Sequence, residues 1–153
     1  MNSNKKKIKV ICFLGGPGSG KGTQCERLVS LNKDKYIHLS TGAAFRKIVA
    51  QKSHPKWKII DEIMKSGNLV TRELSREILK DVLLSYANEN KVILLDGYPS
   101  SMENIDDWDN YMIKNSEIKA AIYLNCKIEA MKTRLKQEMK EEMMIMMKLL
   151  IIE

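Results

Sequence analysis

The sequence has 153 residues, of which 44% are hydrophobic and 29% are charged, and its net charge is +7. This length suits one domain, and the composition excludes a wholly disordered or fibrous chain. No apolar run approaches the about 20 residues of a membrane-spanning helix, and the three cysteines lack the spacing of metal ligands or of a disulfide framework, so we expect a soluble protein of a reducing compartment.

The chain opens with a basic segment, in which Lys5, Lys6, Lys7 and Lys9 supply much of the positive charge. A basic surface attracts phosphates, which nucleic acids, anionic membranes and nucleotides all carry. A short lysine run is usually a solvated arm, and no aromatic side chains are interleaved with this one, as they are in nucleic-acid-binding patches. We therefore expect no nucleic-acid or membrane partner. We also expect a monomer, located in the cytoplasm or also in the nucleus.

Four short runs of β-branched and apolar residues predict buried strands, and they cover 8–14, 36–39, 92–95 and 120–124. Helical spacing of apolar residues predicts helices between and after them. These helices begin near Lys21, Ser40 or Thr41, Trp57, Thr71 and Ile128, with a further polar helix after Pro99. Strands that alternate with helices indicate right-handed crossovers, and hence an α/β fold with a parallel sheet covered on both faces. His38 is interpreted as a strand residue without an acid–base role.

A glycine-rich segment, Gly15 to Thr23, joins the first strand to the first helix. Its glycines allow successive backbone N–H groups to point inward, and the helix N-terminus adds its dipole, so the segment can bind phosphates. Lys21 is placed to bridge the outer phosphates, and Thr23 is placed to face a metal. The usual pattern has Ser or Thr directly after the lysine, whereas Gly22 stands here. The spacing and the position between strand and helix predict a P-loop.

Five segments resemble, in order, the nucleoside monophosphate kinases, the family of adenylate kinase and UMP-CMP kinase. They are GGPGSGKGTQC (15–25), HLSTGAAFR (38–46), SGNLVTRE (66–73), LLDGYPSSMENIDDW (94–108) and YLNCKIEAMKTRL (123–135). The resemblance runs from about residue 8 to residue 137 and is closest to UMP-CMP kinase. It implies a P-loop NTPase fold of three α/β/α layers, with a kinase core in 1–137 and an acceptor-binding segment at about 40–70.

The resemblance implies that ATP binds at the loop with Mg²⁺ and passes its γ-phosphoryl group to the phosphate of a second nucleotide, without a covalent intermediate. Lys21 and Arg46 then have catalytic roles, since Lys21 matches the lysine on the migrating phosphoryl and Arg46 the arginine that clamps the acceptor's phosphate. Asp96 resembles the family's water-mediated magnesium ligand, although a carboxylate there can also cap the next turn. The ATP phosphates are assigned to Gly16, Pro17, Gly18, Ser19, Gly20, Lys21, Gly22 and Thr23.

The acceptor site implied by the resemblance consists of Thr41, Arg46, Asn68, Leu69, Val70, Gly97 and Asn104. Asn104, with Trp108 four residues later, matches the UMP-CMP kinases, and an asparagine amide can meet a pyrimidine edge. Thr41 instead resembles the adenylate kinases, whose threonine supports adenine. We predict UMP or CMP as the acceptor, with AMP as the alternative.

Three departures from the family pattern bear on activity. Ala43 replaces an acidic residue, and Ser100 replaces an arginine that contacts the acceptor's phosphate. Loss of such a charge-assisted hydrogen bond costs about 1.5–3 kcal/mol. Glu138 stands where the family has an ATP-contacting arginine, and the lid motif, last strand and closing helices do not follow. We expect nucleotide affinity through the loop, poor turnover, an incomplete fold at the C-terminus and an uncovered sheet edge.

The segment 138–153 holds five of the ten methionines, and a shifted reading frame explains its composition. Methionine has the single codon ATG, so a shift of one base reads GAT, aspartate, wherever Met precedes Met or Ile. Applied after Gln137, the shift places an arginine at position 138 and restores the lid pattern G-R-x-D-D-N-x-E-T-I-x-x-R. We expect this Met-rich tail to be a truncated or frame-shifted remnant of a kinase lid.

The kinase hypothesis has a rival from another class. A nucleotide-binding module without catalysis would use the loop in the same way, and its Met-rich tail would dock to a partner. A small-molecule kinase of the shikimate or gluconate type is disfavoured by the T-G…R and D-G-Y-P elements.

Overall fold

The computed structural model describes residues 6–68 and 70–151, with side chains as far as Met144. Four strands form one sheet: β1 (Ile8–Leu14), β2 (Tyr36–Ser40), β3 (Val92–Asp96) and β4 (Ser116–Tyr123). Their order is β2-β3-β1-β4, and every neighbouring pair is parallel. The predicted α/β class is therefore confirmed.

Six α-helices connect and flank the strands: α1 (Lys21–Leu31), α2 (Thr41–Gln51), α3 (Trp57–Lys65), α4 (Arg72–Ser85), α5 (Met102–Asp107) and α6 (Ile128–Ile151). A π-helical turn, Trp108–Met112, continues α5. Ser40 caps α2 by accepting a hydrogen bond from the Ala43 N–H, and Thr71 caps α4 by accepting from the Leu74 N–H. Each such cap stabilises its helix by about 1 kcal/mol. Among the described helices, none is long and apolar enough to cross a membrane.

The core lies on both faces of β1 and β3, because their side chains alternate between the faces. On one face Val10 and Leu95 are fully buried beside residues of α4 and the π-helical turn. On the other face Phe13 and Leu94 pack with Cys25 of α1. A third cluster joins α2, α3 and α4.

Three strands end in one row. Phe13 of β1 pairs with Asp96 of β3, and Asp96 pairs with Ser40 of β2. The segments that follow, at Gly15, Gly97 and Thr41, therefore begin at the same edge of the sheet, which is where open α/β sheets bind ligands.

Strand β4 differs from the prediction at 120–124 because it begins at Ser116. Seven of its eight residues are exposed, and Ile118 and Ile122 keep 39% and 38% of their surface. The expectation of a sheet covered on both faces is wrong at this strand, since the described helices leave it open. The predicted uncovered edge is found here in the described part of the chain.

The predicted boundary between core and tail falls inside a continuous helix. α6 runs from Ile128 through residue 138 to Ile151 without a break. The side chains of Met139, Met143 and Met144 are exposed. A division of the chain at residue 137 thus stays a prediction.

Candidate active site

The glycine-rich loop has the backbone that its sequence predicts. Gly15, Gly18 and Gly20 have φ angles of 145°, 74° and 93°, in the region that favours glycine. A Cβ on Gly18 would lie 2.7 Å from the Met131 carbonyl oxygen of α6. Glycine is therefore needed at residue 18 both for the turn and for the close approach of α6.

Lys21 lies folded over this loop. Its Nζ donates hydrogen bonds to the carbonyl oxygens of Gly15 and Gly16, at 2.9 and 3.0 Å. The ammonium group has three donors, so one remains for a ligand. The hydroxyl of Ser19 is buried and has no hydrogen-bond partner among the described residues. Buried hydroxyls normally form hydrogen bonds. The Ser19 hydroxyl is therefore available to bond to a polar ligand held by the loop.

The start of α1 supplies further donors. The Gln24 N–H bonds to the Gly20 carbonyl at 3.0 Å, which is the first turn of the helix. The amides of Lys21, Gly22 and Thr23 precede the first intrahelical partner and lie at the positive end of the helix dipole. Together with the Lys21 ammonium, these groups form a donor set that fits the phosphates of a nucleotide.

Asp96 lies beside the loop at the end of β3. Its Oδ2 is 3.6 Å from the position of a Cβ built on Gly22, and 3.7 Å from Nε2 of His38. The His38 Nε2 is buried and has no hydrogen-bond partner in the described part of the chain. A half-buried carboxylate next to a phosphate loop suits Mg²⁺, which prefers oxygen ligands and keeps several waters. Thr23 is exposed at the same end of the site.

A cavity of about 500 Å³ opens over the loop. The loop side contributes residues 18–20 with Thr23 and Gln24, and the opposite wall consists of residues 123–126 with Arg134 and Glu138. Nη1 of Arg134 donates to the Gly18 carbonyl at 3.2 Å, so α6 is tied to the loop. Glu138 adds a carboxylate to the wall of a cavity that the loop makes suitable for phosphates.

A second cavity, of about 240 Å³, lies between α2, α4 and the segment after β3. It is lined by four residues predicted for the acceptor, which are Thr41, Val70, Gly97 and Asn104. A Cβ on Gly97 would lie 2.6 Å from Oγ1 of Thr41, so this pair closes the end of the cavity nearest the sheet.

Two other predicted acceptor residues, Asn68 and Arg46, do not line this cavity. Asn68 is exposed and donates to the Ser66 hydroxyl at 3.0 Å, and Leu69 lies outside the described residues. Arg46 is exposed on α2, and its Nη1 lies 3.5 Å from the position of a Cβ built on Gly42. The guanidinium thus folds back toward the start of α2, at the sheet edge that carries the loop. It has no hydrogen-bond or ion-pair partner among the residues that the structure describes.

The side chain of Asn104 holds the segment that follows Pro99. Its Oδ1 accepts hydrogen bonds from the N–H and the hydroxyl of Ser100, at 3.0 and 3.1 Å. Since a backbone N–H can only donate, these contacts fix the orientation of the amide. The amide nitrogen is the group that remains for a ligand.

The sequence analysis missed Arg72, the first residue of α4, which lines the acceptor cavity. Its guanidinium forms two hydrogen bonds of 2.9 Å with the carboxylate of Asp107, which is 1% exposed. Arg76 adds a third at 3.1 Å. The hydrogen bonds from Arg72, together with the one from Arg76, hold the pKa of Asp107 below its ordinary value. A positive charge in the first turn of a helix interacts unfavourably with the helix dipole. An arginine at this place in the sequence therefore indicates an acidic partner elsewhere in the fold.

A family model described as adenylate kinase matches residues 13–150. The chain is 37% identical over 135 residues to adenylate kinase isoenzyme 1 of Oryctolagus cuniculus, covering 88% of this chain and 66% of the relative. It is 41% identical over 109 residues to the same isoenzyme of Homo sapiens, covering 71% and 55%. Identity to human adenylate kinase isoenzyme 5 is 34% over 138 residues, covering 90% and 24%. The chain therefore spans about two thirds or less of the length of these relatives.

Proposed function

The chain belongs to the adenylate kinase family, and we propose that it transfers the γ-phosphoryl group of ATP to a nucleoside monophosphate. One observation carries this proposal. The loop with Lys21 and the acceptor cavity with Thr41 and Gly97 open at the same edge of the sheet, with Asp96 in the row between them. Two nucleotides bound there would meet through their phosphates, and positioning is the main requirement of phosphoryl transfer.

Each residue has a role in this proposal. The amides of residues 16–23 bind the ATP phosphates, and Lys21 neutralises charge on the group in transit. Arg46, which has no partner among the described residues, binds the acceptor's phosphate through bidentate hydrogen bonds. Asp96, with Thr23, holds Mg²⁺ directly or through water, and the ion supplies charge neutralisation on the phosphates when it is bound.

AMP is the acceptor that the relatives support, since they are named adenylate kinases. Thr41, which resembles the residue of that branch, lines the acceptor cavity. UMP or CMP, the main sequence-based prediction, is the second candidate, and it rests on Asn104 and Trp108. Trp108 is buried, and the Asn104 oxygen is bonded to Ser100, so only the amide nitrogen of Asn104 is available to a base.

A coupled assay of ADP release tests the proposed function. The chain is supplied with Mg²⁺, ATP and each of AMP, UMP and CMP, and Lys21→Ala serves as the control variant. Turnover that the control abolishes supports the kinase. ATP binding without turnover for any acceptor would favour the rival, a nucleotide-binding module.

We also propose that residues 138–153 correspond to a lid segment translated in a shifted frame. In support, Glu138 places a negative charge in the wall of the phosphate cavity, where the shifted frame reads arginine. An arginine there would neutralise charge on the phosphoryl group, and such arginines raise rates by about 10³–10⁵. Sequencing independent transcripts across codons 137 and 138 tests the idea, because an uninterrupted frame in all of them would refute it. A cytoplasmic monomer remains the proposed state.

A further inference from the structure

Arg72 lines the acceptor cavity and is held in one position there. Its Nε donates to Oδ2 of Asp107, and its Nη2 donates to Oδ1 of Asp107 and to the Glu103 carbonyl, each at 2.9 Å. Both acceptors belong to α5, so the guanidinium bridges the start of α4 to α5 across the cavity wall. A guanidinium bound in this way has little freedom to turn.

One end of the guanidinium remains for a ligand. A guanidinium carries five N–H donors, and the three contacts use Nε and Nη2. Nη1 has no acceptor among the residues that the structure describes. Asn104 lines the same cavity, and the contacts with Ser100 leave only its Nδ2 donors. The groups that Arg72 and Asn104 leave free in the cavity are therefore donors.

A cavity with fixed donors selects a base by its acceptors. Uracil presents two carbonyl oxygens and one N–H, whereas adenine presents an amino group, which is a donor, beside a ring nitrogen. A donor of Arg72 that faces the amino group gains no hydrogen bond from the base, whereas one that faces a carbonyl oxygen gains a charge-assisted hydrogen bond.

We propose that Arg72 is a specificity-determining residue, which gives the acceptor cavity a fixed hydrogen-bond donor for a carbonyl oxygen of uracil. UMP is then an acceptor of this chain alongside AMP, and Arg72 sets the ratio between them. This inference rests on the proposed function, because it assumes that a nucleoside monophosphate occupies the cavity.

Calorimetric titration with UMP and AMP tests the inference without requiring turnover. In Arg72→Leu the Kd of UMP should rise about 10- to 100-fold, which corresponds to one charge-assisted hydrogen bond, and that of AMP should change by less than about threefold. Arg76→Leu is the matched control, since Arg76 bonds to the same Asp107 but does not line the cavity. It should leave the ratio of the two affinities unchanged.

Two further measurements separate recognition from folding. Arg72→Lys keeps a positive charge beside Asp107 but loses the fixed plane of donors. It should weaken the binding of UMP relative to AMP while remaining folded by circular dichroism. Two UMP analogues, one without the O4 oxygen and one without the O2 oxygen, identify the contacted oxygen. The analogue that lacks it should bind the unaltered chain about tenfold more weakly than UMP does. Arg72→Leu should bind that analogue and UMP equally well.

The outcomes are distinguishable. Equal weakening of UMP and AMP in Arg72→Leu, or an unchanged ratio in both Arg72 variants, would overturn the role of Arg72 and leave the kinase proposal standing. Failure of both nucleotides to bind the unaltered chain would overturn the kinase proposal, and the inference with it.

Discussion

Strands β3 and β4 are both parallel neighbours of β1, yet they are packed very differently. The three central residues of β3 are fully buried between helices, whereas β4 is buried only at Ser116. The acceptor cavity is built on the β3 side, where Arg72 and Asp107 also join α4 to α5. The outer wall of the ATP cavity rests on the segment after β4 and on α6. The two halves of the site therefore differ in how firmly the fold supports them.

The labelling rates of the three cysteine thiols should show this difference in packing most strongly. Burial raises the pKa of Cys12 to about 11 and, with further contributions from Asp96 and Glu26, raises that of Cys25 to about 12. Only the thiolate reacts, so at pH 8 these two cysteines should be labelled by a disulfide reagent at least about 100-fold more slowly than an ordinary thiol. Cys126, which follows β4 and is partly exposed, should react first. Rapid reaction of three thiols in the folded chain would contradict a firm β3 side.

Truncation of an apolar side chain should lower the stability of the fold much more in β3 than in β4. Leu94→Ala in β3 removes a fully buried side chain and should lower the free energy of unfolding by about 2–5 kcal/mol. Ile122→Ala in β4 should lower it by less than about 1 kcal/mol, because that side chain is already partly in water. Urea unfolding followed by circular dichroism measures both, and equal losses would remove the distinction between the strands.

The network around Asp107 makes the acceptor side sensitive to acid. The pKa of Asp107 is lowered in the folded chain, so its contribution to stability is complete above the ordinary aspartate pKa and is lost as the pH falls toward the folded value. We expect the free energy of unfolding to decrease below about pH 4. Asp107→Asn should be less stable than the unaltered chain at pH 7, by about 1–3 kcal/mol, and should lose less between pH 4 and pH 2. If the stability of the two chains fell equally with pH, the Asp107 network would not be the cause of the acid sensitivity.

The smallest effect is expected at the α6 wall of the ATP cavity. Glu138→Arg removes a negative charge near the phosphates and adds a positive one, which should strengthen ATP binding by about tenfold at low salt and by less at high salt. Glu142→Arg makes the same charge change on the exposed surface of α6 and is the control. An equal gain from both variants would indicate a long-range charge effect instead of a contact in the cavity.

The features that sequence reasoning predicted are those whose causes lie close together along the chain. The loop at 15–23 follows from its own glycines and from the strand and helix beside it, and the caps at Ser40 and Thr71 act within three residues. The start of β4 was missed because Glu117 and Lys119 are typical of a surface segment, and only pairing with β1 makes them a strand. The role of Arg72 was missed because its partners Asp107 and Glu103 are 35 and 31 residues away in the sequence.

The most direct test of the two-nucleotide site is a crossed binding experiment. ATP and AMP are titrated separately into the unaltered chain, into Lys21→Ala and into Arg46→Ala, with Lys47→Ala as a control on the same helix as Arg46. Lys21→Ala should weaken ATP by about tenfold or more and leave AMP nearly unchanged, and Arg46→Ala should do the reverse. If Arg46→Ala leaves the affinity for AMP unaltered, or Lys21→Ala leaves that for ATP unaltered, the two residues do not hold the two nucleotides and the account is wrong.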